Sequence, residues 1–221
     1  MKRTIALLAG LILLAGCSSQ EEAEYGESFE PNLVHAMKYE IKEGFSMKQA
    51  LEDTDWIVNG MFGTPNAPEL PALLVEDEDF ADLLTMERLE KSAGPAMGEN
   101  GLYRKHCASC HGLSGNGRGE NSAILDPYPR DYRHGIFKFK STKRGSKPVR
   151  EDLARSIRDG IDGTAMKKIP ELSEDDIQAL VDYVIYLSVR GEVERLLIDD
   201  AIFNLDLESG DRIVNWQFAE S

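Results

Sequence analysis

The 221-residue sequence predicts an all-α fold, and three observations carry that expectation. Residues 173–185 join a capping signature to apolar residues at helical spacing. Arg150 to Asp159 forms a second helical stretch, which Gly160 closes as a C-cap. Around the paired cysteines at 107 and 110, no strand–helix–strand pattern is visible.

The chain opens with Met1, Lys2 and Arg3 and runs apolar from Ile5 to Leu14 before reaching Ala15, Gly16 and Cys17. That is the charged, apolar, small-residue layout of a secretory signal over residues 1–16, too short to span a bilayer. Leu14-Ala15-Gly16-Cys17 also resembles the lipobox of bacterial lipoproteins. The resemblance implies cleavage before Cys17, lipidation of its thiol and a lipid-membrane anchor; the alternative is an ordinary signal peptide that contains a cysteine. Ser18 and Ser19 fit the lipoprotein pattern. With no aspartate after Cys17, the expected location is periplasm-facing at the outer membrane. Loss of Lys2 and Arg3 with the signal takes the formal charge from −14 to −16.

Residues 17–30 read as a flexible tether and residues 31–93 as an acidic, partly helical extension. In the extension Met47–Trp56 and Glu78–Glu90 look helical, and Gly63, Pro65, Pro68 and Pro71 argue for an extended crossing between them. Glu21 to Glu90 carries eighteen acidic and four basic residues, whereas Arg104 to Lys168 carries seven acidic and fifteen basic. An exported, anchored chain does not meet nucleic acid. The basic middle is therefore expected to face an acidic partner or the chain's own acidic flank.

Pro95 to Cys110 reads as one helix with Leu102 and Tyr103 on its buried side. Gly98 and Gly101 within it suggest close approach to another helix. In the helix capped by Ser173, Asp176 occupies the third position, and Ile177, Leu180, Val181, Val184 and Ile185 recur at helical spacing. Tyr183 or Tyr186 is expected to pack across Gly98 or Gly101. Residues 191–221 form a C-terminal extension whose Leu196-Leu197, Ile213-Val214 and Trp216 are apolar enough to pack somewhere on the fold.

With Cys17 committed to lipid, Cys107 and Cys110 are too few for a disulfide framework. Cys107-Ala108-Ser109-Cys110-His111 is the C-x-x-C-H pattern of covalent haem attachment. Two thiols one helical turn apart reach the two vinyl groups on one haem edge as thioethers. The adjoining imidazole binds iron through one nitrogen and donates from the other to a backbone carbonyl. A thioredoxin-like pair wants a βαβ setting and a zinc site a second ligand pair; neither is visible. Gly101-Leu102-Tyr103, Cys107 to Gly112 and Leu113-Ser114-Gly115-Asn116-Gly117-Arg118-Gly119 resemble the opening of a class I monohaem cytochrome c. The resemblance implies a cytochrome c-like helical fold around one covalent haem c over residues 94–190, with the N-terminal segment as an addition.

The resemblance further implies a methionine as the second axial ligand. Met166 lies 55 residues after His111 in Gly160-Ile161-Asp162-Gly163-Thr164-Ala165-Met166, which resembles the family's G-T-x-M stretch, although Lys167 follows where proline is usual. His134 is the rival, and a second imidazole gives a lower potential than methionine. Met37, Met47, Met61, Met86 and Met97 read as core packing, and His35 and His106 as surface groups. By the resemblance a proline carbonyl, of Pro127 or Pro129, holds the proximal His111. Arg130, Tyr132 and Arg133 are candidates to meet the haem propionates, or else solvated surface. With both axial positions filled by protein, the chain is expected to be an electron carrier that meets redox partner proteins, not an enzyme. Lys138, Lys140, Lys143 and Lys147 are candidates to steer an acidic partner. The alternatives are a haem subunit of a larger respiratory oxidase or reductase complex and a haem enzyme with an open iron site.

Overall fold

The structure, a computed structural model, describes residues 28–77, 80, 83–94 and 101–214. Among the described residues every regular element is helical, and β-pairing is confined to isolated bridges at Gly63–Pro68 and Gly160–Lys167. The helices are α1 (Leu33–Glu43), α2 (Lys48–Phe62), α3 (Ala72–Val75), α4 (Met86–Ser92), α5 (Leu102–His106), α6 (Ala108–His111), α7 (Arg150–Asp159) and α8 (Glu174–Asn204). Single 3-10 turns form at Ser122–Ile124 and Tyr132–His134. The all-α expectation and the bounds of α7 agree with the sequence reading. Near Gly60–Pro71 the chain makes a turn closed by Thr64 N→Ala67 O (2.9 Å) in place of the expected extended crossing.

α8 is the spine, and α1, α2, α4, α5, α7 and the Tyr132–His134 turn all pack on it. At 31 residues it runs about 46 Å. It starts as expected: Ser173 Oγ accepts from Asp176 N (3.2 Å), and Asp176 Oδ2 accepts from Ser173 N (2.9 Å). Lys91 of α4 adds ion pairs to Asp176 (2.8 Å) and Asp175 (2.6 Å). Burial pushes the Asp176 carboxyl up, but its hydrogen bonds to Lys91 and Ser173 outweigh that and hold it at about 2. Because the folded value lies below the unfolded one near 3.9, the carboxylate stabilises the fold above about pH 4 and loses that contribution as pH falls towards 2. Asp176→Asn is therefore expected to lower the melting temperature by about 2–4 °C at pH 7 and to match the parent near pH 2 in thermal scans.

The helix runs on past residue 190, where the sequence reading ended the haem domain. Its first half buries Ile177, Leu180, Val181, Val184 and Leu187 against Leu102, Tyr103, Leu153, Ala154 and Ile157. Its second half buries Ile198 and Ala201 against Ala36 of α1 and Met47 and Ala50 near the start of α2. The acidic extension is thus laid along the far half of the spine. Phe29, inside the expected tether, is fully buried in the first core, and Phe62 of α2 reaches the same core. At the C-terminal end, buried Asp53 of α2 accepts from Arg212 and from the Ile213 N–H (3.0 Å), which closes the tail over α2. Ile213 packs in the second core, Leu197 packs against the first and Leu196 is exposed; Trp216 lies outside the described residues.

Several side chains sit otherwise than expected. Met37 and Met86 are exposed, because the inward faces of their helices are taken by Ala36 and Leu89. Met47 is buried, Met61 packs at the edge of the first core and Met97 lies outside the described residues. His35 is buried, with Nε2 2.6 Å from Asp199 Oδ1 of α8. The His106 side chain is only 9% exposed and faces Glu171, and burial lowers its pKa. Of the stretch expected as a helix over Glu78–Glu90, Phe80 is helical, residues 78, 79, 81 and 82 lie outside the described residues, and α4 opens at Met86, where Thr85 accepts the capping hydrogen bond from Arg88 N (3.4 Å).

Candidate functional site

The segment expected as one helix over Pro95–Cys110 is broken where described; residues 95–100, Gly98 included, lie outside the description. Gly101, left-handed at φ 71°, caps α5. The backbone leaves helical geometry at Cys107 (φ −123°, ψ −39°) and resumes in α6. That single turn carries both thiols: Cys110 N donates to Cys107 O (3.1 Å) and His111 N to the same carbonyl (2.9 Å). Both cysteines are free and half-buried. Burial, with a smaller push from Cys110, raises the Cys107 thiol to about 12, so it stays a neutral group against the core. Tyr103 OH donates to Gly112 O (2.9 Å) and pins the end of the motif. Its ring meets Tyr183 of α8 at 4.9 Å. Tyr186 is spent on Phe62, whose carbonyl accepts its hydroxyl.

His111 Nδ1 lies 3.1 Å from Arg130 O. Burial lowers the imidazole pKa and the Arg130 bond only partly opposes it, which favours the neutral ring. With Nδ1–H donated to Arg130 O, the lone pair is at Nε2. The acceptor is thus Arg130 and not Pro127 or Pro129: the Pro129 carbonyl is turned against Gly117, where an added Cβ would meet it at 2.6 Å. The glycine-rich loop folds back on the motif through Gly117 N→His111 O (2.8 Å), Gly119 N→Cys110 O (3.1 Å) and Asn121 N→Ser109 O (2.8 Å). A side chain at Gly119 would strike the Ala108 and Ser109 carbonyls. Tyr132 stacks on His111 (4.7 Å, 19°) and Phe137 stacks on Tyr132 (5.9 Å, 18°).

Met166 sits in a tight loop. Ile161 N donates to Met166 O (2.8 Å), Met166 N to Thr164 Oγ1 (3.1 Å), and Gly160 (φ 76°) faces Lys167 across the bridge. The Met166 side chain packs on the first core, as do Cys107, Ala108 and Phe137. His134 goes elsewhere: Nε2 is 3.7 Å from Asp131 Oδ2, and the ring feels Arg195 of α8 and Lys38 of α1.

Arg133 is 3% exposed, held by Asp131 through Nε (3.0 Å) and Nη2 (2.9 Å), and packed over Gly191. Tyr132 is a buried stacking ring. The Arg130 side chain and Pro127 are exposed, and Pro129 is half-buried. Lys147 is paired with Glu192, and Lys140 donates into its own loop. Cys17 lies outside the described residues. The sequence reading missed Glu30, which accepts from Asn116 Nδ2 (2.6 Å) while Asn116 Oδ1 accepts from Arg118 N (2.7 Å). The one signal for it was an asparagine between two glycines.

These donors suit a covalently held haem: two thiols on one turn, a neutral imidazole with one nitrogen committed, a thioether on the same core, and glycines where side chains would collide. The family model described as "Cytochrome C oxidase, cbb3-type, subunit III" matches residues 95–184, which supports a cytochrome c family for this segment. No curated protein matches the chain. Among solved structures, a chain of the Kuenenia stuttgartiensis reducing HAO-like protein complex Kustc0457/Kustc0458 is similar at 31% identity, covering 46% of this chain and 41% of that one, with a TM-score of 0.39. This chain therefore spans less than half the length of that one.

Proposed function

We propose, with the cytochrome c match over residues 95–184 as premise, that this chain is a monohaem electron-transfer protein rather than an enzyme. Cys107 and Cys110 attach haem c, His111 is the proximal ligand and Met166 the distal one. A lipidated Cys17 tethers residues 94–190 to the periplasmic side of a bacterial membrane, the outer membrane by its sequence signal. The observation that carries the reading is the His111–Arg130 hydrogen bond beside the two cysteines, since it fixes the ring and leaves Nε2 as the donor. Bound haem supplies one reversible one-electron couple. The chain's own part is to hold the ring plane through Tyr132, to exclude water with Phe137 and the glycine-rich loop, and to fix the sulfur of Met166 by the Gly160–Lys167 bridge.

A second reading, a haem subunit of a larger respiratory complex, draws support from the match to a model described as an oxidase subunit. The native mass of a mild detergent extract separates the two.

The test is the intact mass of the protein purified from membranes. We expect the mass of one haem retained through acid–acetone extraction, plus a lipid addition on a chain beginning at Cys17. C107A/C110A is expected to retain none of the haem. Haem that extracts freely from the parent protein would overturn the attachment.

A further inference from the structure

The loop from Ile136 to Val149 reaches His111 through the Phe137 and Tyr132 rings and is braced from within. Lys140 Nζ donates to Thr142 Oγ1 (3.2 Å) and to the Lys143 (2.6 Å) and Ser146 carbonyls. Thr142 Oγ1 donates to Lys147 O (2.8 Å). Asp152, in the first turn of α7, accepts from Ser141 N (2.9 Å), Ser141 Oγ (3.1 Å) and Val149 N (3.2 Å). A loop bonded to itself this way presents a fixed surface, which lowers the ordering cost of docking.

Its exposed side chains are apolar and basic. Ile136, Phe139 and Val149 are 63%, 47% and 49% exposed. Lys138 lies over the Phe139 ring at 5.5 Å, and Lys143 and Arg144 are exposed and form no ion pair among the described residues. Two of the four lysines proposed from sequence, Lys140 and Lys147, are engaged by bonds within the chain, so Lys138 and Lys143 remain with Arg144 as the charges that form no ion pair among the described residues. Phe137, within the loop, stacks on Tyr132, which stacks on His111.

Resting on the haem reading above, we propose that this face is where a redox partner docks: a protein with an acidic rim around an apolar centre. The charge of the whole chain is −14, so an acidic partner is repelled by most of the molecule and drawn to this loop. The exposed Ile136, Phe139 and Val149 require an apolar counterpart within that rim.

The test uses haem-loaded, isotope-labelled protein titrated with an acidic blue-copper protein in which redox-inert cadmium replaces copper. Binding is read by NMR at about 10 mM salt, where charge acts over about 30 Å. We expect shifts centred on residues 136–149. K138E/K143E/R144E is expected to weaken binding at least about tenfold, whereas K38E/K42E/K48E, the same charge change on and beside α1, costs less than about threefold. Phe139→Asp is expected to weaken it as well. Shifts centred on exposed Ile124 and Tyr128, equal losses in both triple variants, or no saturable binding would each overturn the proposal. Covalent haem is measured first in every variant, so a protein without it defeats the haem reading and not the docking face.

Discussion

Met166→Ala in the haem-loaded protein is expected to abolish the weak far-red ferric band of sulfur-to-iron ligation and to lower the midpoint potential by at least about 0.1 V. The axial ligand alone tunes potentials over about 0.8 V, and methionine sits at the high end. The ferrous variant is also expected to bind carbon monoxide, and the parent is expected not to. The expectation rests on the loop: Ile161 N on Met166 O, Met166 N on Thr164 Oγ1 and the Gly160–Lys167 bridge fix the backbone on both sides of the thioether, which lies on the core shared with Cys107. His134→Ala is the matched control. Its ring faces Asp131, Lys38 and Arg195, so removing it is expected to leave band and potential unchanged. Loss of the band in the His134 variant, with Met166 intact, would transfer the ligand role to the imidazole.

The parts of this site legible in the sequence are those fixed by local chemistry. C-x-x-C-H needs one turn, the glycine-rich loop needs glycines where Gly117 and Gly119 approach carbonyls, and the start of α8 needs its Ser173–Asp176 box. What the sequence did not reveal depends on contacts between distant segments. Nothing local marks Arg130 rather than Pro129 as the acceptor for His111; the choice is made by how closely the Pro129 carbonyl meets Gly117. Arg133 reads as an anion donor, and its bonds to Asp131 two residues earlier form only where the chain turns at Tyr132–His134. The length of α8 was hidden because Arg190 and Glu194 interrupt the apolar periodicity at positions that are nonetheless buried, and the buried face beyond them belongs to a second core made by the acidic extension.

Those two residues make the fold's most exacting polar contact, and Arg190→Met is expected to destabilise the protein by about 3–5 kcal/mol, a fall in melting temperature of roughly 6–20 °C. Arg190 and Glu194 are each 1% exposed and lie 3.4 Å apart. Arg190 also donates to Asn59 Oδ1 (3.4 Å) and stands 4.2 Å over the Phe29 ring, while Glu194 accepts from Asn32 N (2.7 Å). The pair therefore clamps α2 and the chain from Phe29 to Asn32 onto the spine. Removing the cation leaves the Glu194 carboxylate buried with one N–H, and burial already pushes its pKa up. Since a raised folded pKa makes the ionised form a cost at high pH, the deficit of Arg190→Met is expected to narrow as pH falls and Glu194 takes up a proton. R190M/E194L removes both charges and is expected to recover most of the loss, because an apolar pair of similar volume avoids the desolvation cost. Neither variant touches His111 or Met166, so the haem spectrum should persist in both below their melting points. If the single and double variants melt together, the pair is not coupled, and the extension is held by Phe29, Phe62 and the second core alone.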